Sequence, residues 1–245
     1  MKILFAPSEG KCSGGIFPPL NPNSFIFPEL YLKRVEVLDQ YEALVQKNDS
    51  EVLSELFGLK DGREFERYKI PFEFAPTMKA IERYDGVAYD YLKYRTLNRG
   101  AQEYIDKNTI LFSNLFGPIC ASDFIPDYKL KQGSTIQKLA PEKFYKEYFS
   151  TALDNLIGND EILDLRAGYY DKFYIPKTPI TTLKFLKEGR VVSHWAKAYR
   201  GVVLNALARH QTASIEEFLA LSIDGLIMSD KVETKKKKEI IYTIL

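Results

Sequence analysis

Residues 1–11 read MKILFAPSEGK, and this stretch decides the fold that we predict. Residues 2–6 form a short apolar run that Pro7 ends, which is the pattern of a buried strand leaving its sheet at a loop. The polar residues at the exit of this strand are Ser8, Glu9 and Lys11. The sequence therefore places a group of chemically useful side chains at the end of a core strand.

Downstream segments alternate between helical and strand patterns. A helix is predicted over residues 28–46, and two short helices over 49–56 and 61–68 form a small helical hairpin around Gly58. Further helices are predicted at 77–84, 88–94, 99–107, 141–156, 195–210 and after a cap at Ser214 or Thr212. Strands are predicted at 109–112, 161–165, 181–186, 190–193, 221–228 and 239–244, with a turn at Gly117-Pro118 and a charged connection at 229–238.

Strands and helices interleave without a linker or an internal repeat. We therefore predict one mixed α/β (α+β) domain over residues 1–245, with a central mixed sheet surrounded by helices. The helical segment at about 28–70 is predicted to be an insertion into this domain.

The composition is that of an ordinary globular protein, with 45% hydrophobic and 27% charged residues in 245. Because 34 Lys and Arg face 33 Asp and Glu, no field of the whole chain attracts nucleic acid or membrane, and any such surface must be local. Two isolated cysteines fit a reducing compartment. No apolar run is long enough for a signal peptide or a membrane span. We expect a cytoplasmic protein with no membrane partner.

The sequence lacks the motifs of several common kinds of catalytic and binding site. Gly10-Lys11 is no phosphate loop, because Phe5 stands where the first glycine belongs and Cys12 follows the lysine. The chain has no GxGxxG, GxSxG or HExxH pattern, and it contains two histidines. We therefore predict no metal and no cofactor. Cys12 could form a nucleophilic pair with a histidine, although a lone cysteine is more often a small buried hydrophobe.

The segment SHWAKAYRG at 193–201 begins a helix that is apolar on both faces, so we expect the helix to be buried. Lys197 and Arg200 lie in its first turns, where the helix dipole disfavours cations. Such charges need compensation. One interpretation is an internal ion pair with Glu9 or Asp164. The other is a pocket for an anion, which Lys197 and Arg200 would share with Glu9 and Lys11.

Local lysines offer a second kind of anion site. Lys60 follows Gly58 in the helical hairpin, where backbone N–H groups and a lysine can contact a DNA phosphate. The alternative is a plain antiparallel helix pair. Lys129 lies in a polar turn and residues 235–238 are four lysines, a run that we interpret as a solvated loop.

Six ordered segments together resemble one family, the YaaA or peroxide-stress family of bacterial proteins. These segments are PSEGK (7–11) with Gly14 and Gly15, YDGVAY (84–89), LFG (115–117) with DFIPDYKL (123–130), LDLRAGYY (163–170), AKAYRG (196–201) and DG (224–225). The resemblance runs over nearly the whole chain. It implies a cytoplasmic protein of mixed α/β fold that binds DNA and limits oxidative damage by hydrogen peroxide. It also implies a helix-hairpin-helix-like element and a basic cleft.

Two hypotheses for the function follow. The first is a DNA-binding protein of the peroxide stress response that contacts phosphates through cations; the candidates are Lys11, Lys60, Lys129, Lys197 and Arg200. The second is an enzyme that acts on a nucleotide, a nucleoside or another small anionic molecule. Its pocket would consist of Ser8, Glu9, Lys11, Tyr128, Lys197 and Arg200. In that pocket Glu9 would be the general acid or base, and Ser8 or Tyr128 an orienting hydroxyl.

Overall fold

A strand at the start of the chain lies in the middle of the main sheet. The computed structural model describes residues 1–245, apart from the side chains of Ser24 and His194. In the first strand, β1 (Lys2–Phe5), Ile3 to Phe5 are buried, because helices and loops cover both faces of its parallel sheet. The other strands are β2 (Gly10–Lys11), β3 (Thr77–Lys79), β4 (Tyr84–Asp85), β5 (Thr109–Ser113), β6 (Gly117–Cys120), β7 (Phe124–Pro126), β8 (Ile162–Asp164), β9 (Ile180–Lys187), β10 (Arg190–Val191), β11 (Leu226–Glu233) and β12 (Lys237–Ile244).

The main sheet has eight strands, seven of them in the order β11-β12-β9-β8-β1-β5-β6, while β10 pairs with β9. The five strands from β12 to β5 pair in parallel, and β6, β10 and β11 pair antiparallel. The two small sheets β2-β4 and β3-β7 stand apart from it. The fold is therefore one mixed α/β domain with a central mixed sheet, as the sequence predicted.

Eight α-helices surround the sheet. They are α1 (Tyr31–Lys47), α2 (Ser50–Phe57), α3 (Ala80–Arg83), α4 (Val87–Leu92), α5 (Arg99–Asn108), α6 (Pro141–Ile157), α7 (Ser193–His210) and α8 (Ile215–Ala220). Short 3-10 helices lie at Pro22–Ser24, Pro28–Leu30, Gly62–Tyr68, Tyr94–Thr96 and Gly168–Lys172. Among the described residues, no helix is both long enough and apolar enough to cross a bilayer.

The helical hairpin has the local signals that the sequence predicted. The Asp49 side chain accepts hydrogen bonds from two backbone amides and caps α2, and Gly58 ends α2 at a φ of 66°. Asp61 caps the next segment, which is a 3-10 helix and not an α-helix. The hairpin therefore consists of an α-helix followed by a 3-10 helix.

The chain also differs from the sequence-based expectation at residues 77–84, at 117–118, and at 221–238, where the strand predicted at 221–228 begins only at Leu226. Residues 77–84, predicted as a helix, divide into β3, α3 and the start of β4. Gly117-Pro118, predicted as a turn, begins β6, which tolerates proline because it lies at the edge of the sheet. The charged stretch 229–238, predicted as a connection, lies mostly within β11 and β12. β11 is the opposite edge and is exposed on both faces, so it needs no apolar alternation.

Candidate functional site

A cavity of about 600 Å³ opens where β1 and β8 end. Both strands are parallel neighbours, so the loops that follow them meet at one edge of the sheet, the usual place for ligands in such folds. Five segments form the walls: the loop after β1, the start of α4 with the residues before it, the loop after β7, the loop after β8, and the first turns of α7. The residues with polar side chains are Ser8, Glu9, Asp85, Tyr89, Gln132, Tyr170, Lys197 and Arg200.

Two glycines bring these walls together. A Cβ on Gly86, whose φ is 142°, would lie 2.7 Å from the Ser8 Oγ, so glycine lets the loop after β1 approach α4. A Cβ on Gly201 would overlap the carbonyl oxygen of Ala88. The backbones of α4 and α7 are therefore in contact, which sets Lys197 and Arg200 beside the start of α4.

Lys197 and Arg200 are cations without partners. Both line the cavity, and neither has a hydrogen bond or ion pair with any part of the chain that the structure describes. Burial lowers the pKa of Arg200 below its usual value, while the charge of Asp164 acts in the opposite direction. Together they offer two sets of free donors to an anion.

The expectation of a buried helix does not hold at Lys197. Its side chain is exposed at the cavity, because the rest of the chain covers only some faces of α7 at its amino end. The expected ion pair of Lys197 or Arg200 with Asp164 is also absent among the described residues, since Asp164 binds Arg166 instead. In that pair, Arg166 Nη2 lies 2.7 Å from Asp164 Oδ2 with both side chains buried.

Glu9 stands at the rim of the cavity with its carboxylate held from outside. Its Oε1 accepts a hydrogen bond from the backbone N–H of Gln132 at 3.0 Å. The Glu9 carbonyl accepts from Lys129 Nζ at 3.3 Å, and Lys129 Nζ lies 3.9 Å from Glu9 Oε2. The backbone N–H of Lys131, which directly precedes Gln132, donates to the carbonyl of Leu56 in α2 at 2.9 Å. The Lys129 ammonium is thus engaged with the loop after β1. Residues 129–132 join the helical hairpin to Glu9.

Lys11 lies beneath the loop and not among the residues that line the cavity. Its Nζ donates to the carbonyls of Ser8 and Glu9 at 3.3 and 3.4 Å and lies 4.1 Å from the centre of the Tyr128 ring. Burial, followed by the positive charge of Lys129, lowers the pKa of Lys11 to about 7. Lys11 therefore holds the loop and leaves anion contact to Lys197 and Arg200.

Tyr128 is also outside the lining. Its hydroxyl lies 2.8 Å from Ser113 Oγ and 3.0 Å from the Tyr84 hydroxyl, in a buried chain of hydroxyl groups. Burial raises the pKa of Tyr128 above its usual value. Of the two hydroxyls considered from the sequence, only Ser8 lines the cavity.

Lys60 does not belong to this site. It is exposed in the turn between α2 and the 3-10 helix Gly62–Tyr68, and it does not line the cavity. The structure thus brings Ser8, Glu9, Lys197 and Arg200 to one place. Lys11 and Lys129 support that place from behind.

Tyr170 is a lining residue that the sequence reasoning did not select. It lies in the 3-10 helix Gly168–Lys172, whose position Arg166 fixes by donating to the carbonyls of Tyr170 and Tyr174, each at 3.1 Å. The available signal was the Asp164-Leu165-Arg166 spacing directly after a buried strand. A pair of opposite charges there ties down the loop that follows.

The arrangement supports anion binding and proton transfer. Two cations on α7, the carboxylates of Glu9 and Asp85, and the hydroxyl groups of Ser8 and Tyr170 line the same cavity. The described residues contain no group of three or more His, Cys, Asp or Glu side chains placed to hold a metal ion.

The comparisons with known proteins agree on one family. The family model described as "Peroxide stress protein YaaA" matches residues 1–232. An uncharacterized protein of Campylobacter jejuni is 48% identical over 245 residues, covering 100% of both chains. A UPF0246 protein of Corynebacterium glutamicum is 31% identical, with 96% of this chain and 98% of that protein covered. The resemblance seen in the sequence is confirmed: the chain belongs to the YaaA family of peroxide stress proteins.

Proposed function

We propose that this protein is an enzyme of the peroxide stress response that binds a small anionic molecule in the cavity and acts on it. One observation carries the proposal. Two cations without partners among the described residues, Lys197 and Arg200, line a single space of about 600 Å³ that two carboxylates and free hydroxyls also line. This volume is within the range of small-molecule sites, roughly 300 to 1,000 Å³. A surface that only docks DNA would spread its cations along an open groove.

The chemistry of each side chain suits a different role in binding and catalysis. Lys197 and Arg200 hold the anion, since free guanidinium and ammonium donors bind phosphate or carboxylate strongly. Glu9 acts as general acid or base, because its carboxylate is positioned by the Gln132 amide and remains partly exposed. The Ser8 hydroxyl orients the bound molecule.

A thermal-shift screen of anionic metabolites tests this function. A ligand that binds the folded state raises its melting temperature, by an amount that grows with ligand concentration over Kd. Arg200→Met should abolish the shift. Arg209→Met is the matched control, because Arg209 lies on the exposed far end of the same helix. The proposal fails if no anion shifts the wild-type protein or if Arg200→Met responds like Arg209→Met.

The peroxide connection has its own test in cells. In a strain that lacks the gene, the wild-type chain should restore growth in hydrogen peroxide, and the Arg200→Met chain should not. Equal rescue by both chains would show that anion binding in the cavity is not required for peroxide resistance.

DNA binding is a second candidate, favoured by the exposed Lys60 in the helical hairpin. Its side chain has no ion pair or hydrogen bond among the described residues, so it is free to meet a phosphate. Lys129 is a poorer candidate than the sequence indicated, because its Nζ is engaged with Glu9. Contacts of this kind give binding that is independent of base sequence and weakens with salt.

Titration of duplex, junction and bubble DNA at two salt concentrations tests this second candidate. Lys60→Glu should weaken binding to all three DNAs, and Lys235→Glu, in the turn between β11 and β12, is the control of equal charge change. Equal effects of the two substitutions would assign the affinity to nonspecific charge. Absence of binding at low salt would exclude the DNA hypothesis.

A further inference from the structure

Tyr170 has a hydroxyl at the cavity wall without a partner among the described residues. Its side chain is 6% exposed, it lines the cavity, and its hydroxyl makes no hydrogen bond with the described residues. Several other buried phenols are bonded: Tyr89 donates to the Ala6 carbonyl at 2.9 Å and Tyr145 to the Leu115 carbonyl at 2.6 Å. The Tyr170 hydroxyl is not one of the fully buried polar atoms, so it is a free donor that a ligand in the cavity can reach.

The ring of Tyr170 is fixed in place. The Tyr169 ring contacts it edge-on at 5.3 Å between centroids, and the Phe173 ring lies at 5.8 Å. Arg166 anchors its backbone carbonyl. Burial, followed by the nearby hydroxyls of Tyr84 and Tyr169 and the charge of Glu9, raises the pKa of Tyr170. The phenol is thus a neutral hydrogen-bond donor at physiological pH. The packing around its ring holds it in one orientation.

The remaining walls specify the other properties of the ligand. Lys197 and Arg200 require an anionic group. The carboxylates of Glu9 and Asp85 favour hydroxyl or amino donors. Pro7, Val87 and Ala88 line the cavity and are partly exposed, so they supply apolar surface that a flat ring can cover.

One common chemistry meets all of these requirements at once. A nucleoside monophosphate carries a phosphate, an aromatic base with hydrogen-bond acceptors, and ribose hydroxyls that donate. A sugar phosphate lacks the ring, a free nucleoside lacks the anion, and inorganic phosphate lacks both.

We propose that the cavity binds a nucleoside monophosphate, with the phosphate on Lys197 and Arg200 and the Tyr170 hydroxyl donating to the nucleoside. This inference rests on the proposed function, because it names the anionic molecule that the same cavity takes. Tyr170 is then a ligand-binding residue, and its hydroxyl is satisfied in the complex.

Calorimetric titration with four probes tests the inference: the common nucleoside monophosphates, adenosine, ribose 5-phosphate and inorganic phosphate. The wild-type protein should bind at least one nucleoside monophosphate tenfold or more tightly than the other three probes. Tyr170→Phe keeps the ring and removes only the hydroxyl, so affinity should fall about tenfold, as expected for one hydrogen bond to a buried group. Tyr148→Phe, on the exposed face of α6, is the control and should bind like wild type.

A second measurement separates ligand binding from a structural role. Because the Tyr170 hydroxyl has no partner in the chain, Tyr170→Phe without ligand should melt at the wild-type temperature or above it. A lower melting temperature with unchanged affinity would overturn the assignment of Tyr170. Binding of ribose 5-phosphate through Arg200, with no gain from a base, would overturn the nucleotide and leave the proposed function standing. Failure of every anion to bind would remove both.

Discussion

Replacement of Arg166 by methionine should destabilise the protein strongly, because it leaves the Asp164 carboxylate buried without its partner. Arg166 is 1% exposed and Asp164 is 6% exposed at the side chain, and the two make hydrogen bonds at 2.9 and 2.7 Å. Breaking a buried pair from one side costs about 3 to 5 kcal/mol. The carbonyls of Tyr170 and Tyr174 would also lose their donor.

This loss predicts a large change in melting temperature. For a chain of this size each kcal/mol corresponds to roughly 2 to 4 °C, so Arg166→Met should melt about 6 to 20 °C below wild type. Calorimetry measures the melting temperature directly, and urea unfolding gives the free energy. Arg63→Met, which removes an exposed pair with Asp61, should leave the melting temperature unchanged.

The double variant Asp164→Leu with Arg166→Met distinguishes an unpaired charge from simple loss of packing. Removing both charges should recover most of the stability that Arg166→Met loses, since an apolar pair of similar volume is often as stable as a buried ion pair. A loss below about 1 kcal/mol in Arg166→Met, or a double variant that is less stable than either single one, would refute the reasoning.

Three further changes test the walls of the cavity. Lys197→Met should abolish ligand binding and leave the melting temperature unchanged, because Lys197 is exposed and has no partner among the described residues; a sharp fall in melting temperature would contradict this. Gly201→Ala should destabilise the protein by about 1 to 3 kcal/mol in urea unfolding, since the added Cβ overlaps the Ala88 carbonyl and outweighs the helix preference for alanine. For Lys11, the folded pKa of about 7 lies below the unfolded value of roughly 10.4, so the unfolded chain binds the extra proton and stability should rise as pH increases from about 7 to 10. Lys11→Met should flatten that rise in urea midpoints measured at several pH values; an unchanged slope would exclude Lys11 as its source.

The sequence located much of the candidate site because its signals are local. An apolar run ended by Pro7 predicts a strand exit, and two cations in the first turns of a helix that is apolar on both faces predict an ion pair or an anion site. These patterns placed Ser8, Glu9, Lys197 and Arg200, and the structure brings the four to one cavity. Their roles there stay predictions.

The remaining features depend on contacts between distant segments. Tyr170 reaches the cavity because Arg166 fixes its helix to β8, and the Asp164-Leu165-Arg166 spacing signals the ion pair but not which cavity the following helix lines. The exposure of Lys197 depends on what covers α7, which periodicity alone does not show. β6 and β11 were missed or misplaced because edge strands tolerate proline and charge, and these are the residues that usually predict turns.

Two consecutive amides, those of Lys131 and Gln132, bind opposite neighbours: one the Leu56 carbonyl of α2, the other the Glu9 carboxylate. Neighbouring Cα atoms are only about 3.8 Å apart, so the spacing between the hairpin and the rim is set by a single peptide unit. For anyone redesigning this protein, the hairpin is therefore not a detachable module. Trimming or grafting it would release Glu9, whereas the turn between β11 and β12 can carry a fluorophore or an affinity tag without touching the cavity walls.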